Sequence, residues 1–158
     1  VTLRRCWFHD FPEVAIDSSG GSELVVQDSL VENSMEAIHT ARSYALIEGT
    51  TVRNVTGYSD CIDFDYETTP RSVIRNCIIE NNEDDDGIDL QGSSALIENT
   101  IIRGIKAGKA ISIDLVSTPT IRGVLIYDCL WGLVVKDSTT AQFQLIDRPA
   151  PSAINART

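Results

Sequence analysis

From Ser72 to Ser94 the chain reads SVIRNCIIENNEDDDGIDLQGSS: two short apolar runs, Val73-Ile74 and Ile78-Ile79, an acidic turn, and then the alternating Ile88-Asp89-Leu90-Gln91. No window offers a sustained helical face with apolar residues at i, i+3, i+4 and i+7. The stretch recurs. Ala45-Leu46-Ile47-Glu48-Gly49-Thr50-Thr51-Val52 stands before it, and Ala95-Leu96-Ile97-Glu98-Asn99-Thr100-Ile101-Ile102 follows. A repeat of about two dozen residues marks a solenoid, whose units bury their apolar faces by stacking on one another.

Six successive units align. Their first inward position holds Leu3, Val26, Ile47, Ile74, Ile97 and Ile121, and five residues later come Phe8, Val31, Val52, Ile79, Ile102 and Ile126. A third column is Ile16, Ile38, Ile62, Ile88, Ile111 and Leu133; the fourth holds Ser18, Thr40, Phe64, Leu90, Ile113 and Val135. The intervals in the third column run 22, 24, 26, 23 and 22 residues, as expected for loops of varying length inserted between fixed strands. Short β-branched strands stacked coil on coil predict an all-β parallel β-helix of six to seven coils with three short strands each, like residues forming ladders about 4.8 Å apart. Asp10, Asn33, Asn54, Asn81, Gly104 and Asp128 fall at one corner, where left-handed backbone is needed and these residue types tolerate it.

The outward columns decide what most of the charged residues are for. Arg4, Gln27, Glu48, Arg75, Glu98 and Arg122 form one ladder, and His9, Glu32, Arg53, Glu80, Arg103 and Tyr127 another. Opposite charges mostly alternate, so these arginines read as register-fixing partners worth about 0.2–1 kcal/mol per pair. A third column, Trp7, Leu30, Thr51, Ile78, Ile101 and Leu125, points outward if alternation is strict and inward if the strand bends. Outward, it is an apolar stripe through which Trp7, Leu30, Ile78, Ile101 and Leu125 would associate with a partner domain or second copy. Cys6 and Cys77 share a position with Ser29, Thr50 and Thr100 and read as small inward residues; no Cys/His spacing suggests zinc.

At 158 residues the chain supports one domain with a sizeable core. We place the β-helix at residues 1–140 and a partial last coil with an irregular tail, interrupted by Pro149 and Pro151, at 141–158. A formal net charge of −10 argues against nucleic acid or an anionic membrane as a direct partner, and no apolar run is long enough for membrane insertion. It also disfavours a polyanionic substrate unless a cation bridges the two. The first residues, VTLRRCWFHD, lack a signal peptide's basic start and apolar core and enter in repeat phase, so the chain is expected to be a piece of a longer protein.

Chemistry concentrates on adjacent coils, in Ser59-Asp60-Cys61-Ile62-Asp63-Phe64-Asp65 and Glu83-Asp84-Asp85-Asp86-Gly87-Ile88-Asp89. With Ile62 and Ile88 inward, Asp63 and Asp89 stack outward, extended by Asp17, His39 and Ser112, and Asp65, Gln91 and Asp114 form the next column. Crowded carboxylates raise one another's pKa or recruit a cation. Three readings stand open: a solvated acidic turn, a calcium site with Asp84, Asp85 and Asp86 as ligands, and paired carboxylates for glycoside hydrolysis. A lyase would need a basic residue beside a cation, and Lys106 and Lys109 are the candidates. Asn54-Val55-Thr56 is a glycosylation sequon by pattern.

The repeat resembles the right-handed parallel β-helix superfamily of pectate lyases and polygalacturonases. Ser59-Asp60-Cys61-Ile62-Asp63 is similar to the NTDGID motif of polygalacturonase-type hydrolases, Asp85-Asp86-Gly87-Ile88 to their DDCI, and Gly108-Lys109-Ala110-Ile111-Ser112-Ile113 to their GHGISIG, with Lys109 at the histidine. The resemblance implies Asp60, Asp85 and Asp86 as an inverting acid/base set; Lys109 is a further catalytic candidate, and the outward face of Asp63, Asp65, Asp89 and Gln91 is expected to bind substrate. Asp85-Asp86-Gly87-Ile88-Asp89-Leu90, Gly108-Lys109-Ala110-Ile111-Ser112 and Gly132-Leu133-Val134-Val135-Lys136-Asp137-Ser138 also resemble bacterial secreted β-helix segments found beside CotH-like domains, which carry no assigned catalytic residues. Both likenesses span roughly residues 45–140. They imply a carbohydrate-associated β-helix of extracellular or cell-envelope location that binds a polysaccharide, a neutral or cationic one suiting its acidity, with cleavage implied by the polygalacturonase likeness alone. The alternative is a non-catalytic structural or interaction module.

Overall fold

The structure is a computed structural model that describes residues 1–66, 71–137 and 142–144. The chain winds coil by coil. The first coil holds β1 (Thr2–Arg4) and β2 (Trp7–Ser19), and the second β3 (Glu23–Gln27) and β4 (Leu30–Ala41). The third carries β5 (Tyr44–Glu48), β6 (Thr51–Val55) and β7 (Ile62–Asp65), and the fourth β8 (Val73–Arg75), β9 (Ile78–Asn82) and β10 (Ile88–Gln91). The fifth has β11 (Leu96–Glu98), β12 (Ile101–Ile105) and β13 (Lys109–Asp114), and the sixth β14 (Thr120–Arg122), β15 (Leu125–Tyr127) and β16 (Trp131–Val135). β17 (Gln142–Gln144) opens a seventh coil by pairing with β14. Pro149, Pro151 and the tail lie outside the described residues.

All strand pairs are parallel and in the register that the aligned columns predict. Leu3 partners Val26, Ile47 partners Ile74, and Ile62, Ile88 and Ile111 form one line. The first strands build a 7-stranded sheet. The second and third belong to a 10-stranded sheet, because β2 and β4 run through the corner that elsewhere separates two strands. Coils one and two therefore depart from three separate strands: neither carries the loops that coils three and four insert at residues 56–61 and 83–87. Between Phe11 and Val14 the register shifts, a bulge that re-aims the strand.

Ile38, Ile47, Ile62, Phe64, Ile74, Ile79, Ile88, Leu90, Ile97 and Ile111 are fully enclosed in the core. Leu133 and Val135 keep their register with Ile111 and Ile113 but remain 37% and 45% exposed. Each coil is covered by the next, and among the described residues no strand pairs beyond β16. The stripe faces outward but unevenly: Trp7 is 63% exposed and Leu125 54%, whereas Leu30, Thr51 and Ile101 are half-buried.

Both corners flanking the second strand are left-handed. Asp10, Asn33, Asn54, Asn81, Gly104 and Asp128 have φ between 54° and 71°, and Asn33, Asn54 and Asn81 each pass a side-chain N–H to the residue one coil earlier. The preceding corner, Arg5, Asp28, Gly49, Asn76, Asn99 and Gly123, is also left-handed. Next to it Ser29, Thr50, Cys77 and Thr100 donate their hydroxyl or thiol to the carbonyl two residues back. All four cysteines are free. The charge ladders are real: Arg53 pairs with Glu32, Arg75 with Glu48, Arg103 with Glu80 and Arg122 with Glu98. Arg4 and His9 depart, taking Asp28 and Asp10.

Candidate functional site

β7, β10 and β13 lie side by side and turn two rows of polar side chains outward. One row runs His39, Asp63, Asp89, Ser112 and the next Ala41, Asp65, Gln91, Asp114. Alternation produces both rows, since Ile62, Phe64, Ile88, Leu90, Ile111 and Ile113 take the inward positions between them. Asp60, Asp85 and Asp86 join from the loops that enter β7 and β10.

These loops are held by their own carboxylates. Asp84 Oδ2 accepts the Gly57 N–H at 2.7 Å, and Asp60 Oδ1 accepts that of Asp86 at 2.9 Å. Asp86 is 2% exposed and accepts the Lys109 N–H at 2.7 Å, while Lys109 Nζ closes on both its oxygens at 3.1 and 3.0 Å. Lys109, at the position of the motif histidine, thus neutralises a buried acid from the next coil. Asn82, fully buried, donates to the Ser59 and Asp86 carbonyls and completes the turn. Gly108 has no room for a side chain, because a Cβ there would overlap the Asp85 carbonyl and Asp86 Oδ1. Lys106 pairs with Asp128 at the exposed corner instead.

Beside that turn the carboxylates outnumber the cations, with His39 close to Asp63 and Asp65. Facing oxygens of Asp60, Asp63 and Asp89 lie within 4.8 Å of one another, as do those of Asp60, Asp85 and Asp86. Burial, reinforced by Asp89, Asp85, Asp86 and Asp63, pushes the Asp60 carboxyl up to about 9. Burial together with Asp65, Asp89 and Glu36 pushes Asp63 up to about 8, against the opposing pull of His39. Asp89, Asp85 and Glu36 also rise, burial being the main cause in each. His39 Nδ1 stands 2.8 Å from Asp17 and Nε2 3.7 Å from Asp65. Burial disfavours the imidazolium, but the Asp17 bond with the charges of Glu36 and Asp63 outweighs it and raises the His39 pKa. Lys136 is spent on Asp114 at 3.0 Å.

Gln91 Nε2 bonds Asp89 Oδ2 at 3.1 Å and ties the two rows together. Asp63, Asp89, Asp65 and Gln91 therefore share one face, and Asp85 sits beside it. Asp84 and Asp86 spend oxygens on the turn. Two exposed tyrosines absent from the columns lie in the chain on either side of β7. Tyr58 is 85% exposed and Tyr66 52%, one at each end of the third coil's acidic strand, at φ 60° and 49°. Their signal in the sequence is an aromatic at a corner where glycine or asparagine is usual.

A family model described as "Right handed beta helix region" matches residues 1–145. The chain belongs to this right-handed β-helix family. No curated protein and no solved structure matches it. The β-helix membership accounts for the stacked coils and their register. No helix among the described residues is long and apolar enough to cross a membrane.

Proposed function

We propose that this β-helix is a carbohydrate-binding face that holds a neutral or amino-sugar polysaccharide along β7, β10 and β13. The observation that carries the reading is the half-buried polar row Asp65-Gln91-Asp114 beside Asp63, with exposed Tyr66 directly after β7 and exposed Tyr58 in the loop before it. Carboxylate and amide groups accept and donate to sugar hydroxyls, and tyrosine rings offer flat apolar surface to a sugar face. The likeness to polygalacturonase-type motifs supports a carbohydrate ligand and, with it, an extracellular or cell-envelope setting for the parent protein. Binding is favoured over inverting hydrolysis. Asp86 is 2% exposed and held by Lys109, and Asp60 Oδ1 is spent on the Asp86 N–H, so neither is free to serve as an acid or base. The second reading, an interaction module, rests on the outward stripe of Trp7, Ile78 and Leu125.

Depletion from solution by insoluble chitin, cellulose, xylan and cross-linked pectate separates the two. The carbohydrate reading expects retention on at least one of the first three and weaker retention by Tyr58→Ala/Tyr66→Ala. Retention on none, or equal retention of the double variant, would sink it.

A further inference from the structure

We propose that two copies of this chain pair through the outward face of β2, β4, β6, β9, β12 and β15, with their coils running antiparallel. Two rows make up this face. One is the stripe from Trp7 to Leu125. The other, two residues further along each strand, is the ladder Glu32, Arg53, Glu80 and Arg103, with His9 and Tyr127 at its ends. Trp7 Nε1 donates to Glu32 Oε1 at 2.7 Å, which fixes the exposed indole beside the ladder. An apolar stripe rimmed by polar residues, with a tryptophan in it, is the kind of surface that interfaces bury.

The ladder identifies what covers the stripe. From the second coil to the fifth its charges run negative, positive, negative, positive. Reversing that order changes every sign, so the ladder complements itself when two copies meet antiparallel. A two-fold axis along the strands, between the third and fourth coils, lays stripe on stripe and ladder on ladder. Glu32 then faces Arg103 of the second copy, and Arg53 faces Glu80 of the second copy. All four crossings join opposite charges. Relief agrees with charge: the Arg53 and Arg103 side chains are 40% and 46% exposed, against 9% and 12% for Glu32 and Glu80. Each raised guanidinium of one copy meets a sunken carboxylate of the other. Arg53 donates to Glu32 through Nε, which leaves donors of its guanidinium for a second carboxylate.

Six strands about 4.8 Å apart make a face only about 24 Å long, so the dimer is expected to be weak, with a dissociation constant on the order of 10⁻⁵ M. Sedimentation velocity of the full chain over a concentration series reads it. Glu80→Arg/Arg103→Glu and Glu32→Arg/Arg53→Glu each keep opposite partners within the chain but bring like charges together at every crossing. Each alone is expected to associate about tenfold more weakly than the wild type, or worse. Mixed, the two are complementary again, and association is expected to return. Circular dichroism identifies a variant that fails to fold, and the folded one then decides alone. If neither folds, a wild-type dimer that about 1 M salt fails to weaken decides against the proposal. A wild-type chain that stays monomeric up to about 10⁻³ M overturns it, whether the stripe is then bare or covered by residues 145–158 of the same chain. Variants that associate as tightly as the wild type, or a mixture no tighter than its components, overturn it too. The proposal does not rest on the polysaccharide face on β7, β10 and β13: dimers without glycan binding uphold the one and defeat the other.

Discussion

Asp63 and Asp89 stand opposite one another on adjacent parallel strands, and Asp63 Oδ1 is buried without a hydrogen-bond partner. Like charges directly opposite are destabilising in a sheet, and Asp60 adds a third carboxylate to the same spot. In cation-free buffer the face must therefore retain protons, and this has a readable consequence.

Burial and neighbouring carboxylates hold Asp60 and Asp63 at about 9 and about 8 in the folded chain, against an ordinary value of 3.8. Between those limits the folded state holds protons that the unfolded state has released, so stability falls as pH rises. Glu48 has the opposite sign. The Arg75 hydrogen bond lowers its pKa from 4.5, so its contribution is present above that value and lost as pH falls through the folded pKa. Urea unfolding in chelator is expected to place maximum stability at mildly acidic pH, with a decline toward about pH 9. Stability that climbs from pH 5 to pH 8 under those conditions contradicts this.

Lys109→Met leaves Asp86, 2% exposed, without its counter-charge. Breaking a buried pair on one side costs about 3–5 kcal/mol, and Asp86→Asn/Lys109→Met is expected to recover part of the loss. Denaturant midpoints of the three proteins check it. A single variant as stable as the wild type would remove Lys109 from its structural role.

Gly108→Ala forces a methyl into the Asp85 carbonyl and Asp86 Oδ1. The loop must shift, at about 1–3 kcal/mol. Gly20, whose position leaves open space for a Cβ, is a poor control because its φ is 70°. Gly132, with its nearest contact at 4.0 Å, is the better one. Thermal unfolding of Gly108→Ala and Gly132→Ala is expected to separate them clearly.

Asn54 donates to Asn33 and accepts from Asn81, and it sits at φ 56°. Asn54→Ala loses both ladder bonds and places a less tolerant residue in left-handed backbone, for about 1–3 kcal/mol in all. Asn54→Gly keeps the backbone preference and is expected to lose less. Equal losses would assign the effect to the ladder alone.

Much of this was legible because parallel stacking converts sequence spacing into register. Ile62, Ile88 and Ile111 align in the sequence and in the sheet, and the ladder Gln27-Glu48-Arg75 follows for the same reason. The corner at Arg5, Asp28, Gly49, Asn76, Asn99 and Gly123 carries the same Asp, Asn and Gly signal at five of its six positions, and only Arg5 breaks it. The allotment of the carboxylates was hidden. Asp84, Asp85 and Asp86 look alike as a sequence, and only the path of neighbouring loops brings the Gly57 and Lys109 N–H groups to Asp84 and Asp86. Tyr66 falls in a corner column with Gly20, Arg42 and Gly92, whose mixed residue types hide it, and Tyr58 lies in a loop that the first two coils lack.

The most direct test of the carbohydrate-binding face is a ¹⁵N chemical-shift map of the chain titrated separately with chito-, cello- and xylo-oligosaccharides. The account predicts that one of them shifts amides of Asp63, Asp65, Asp89, Gln91, Asp114, Tyr58 and Tyr66 and leaves the Trp7, Ile78 and Leu125 stripe unmoved. Shifts confined to that stripe, or none with any of the three sugars, would contradict it.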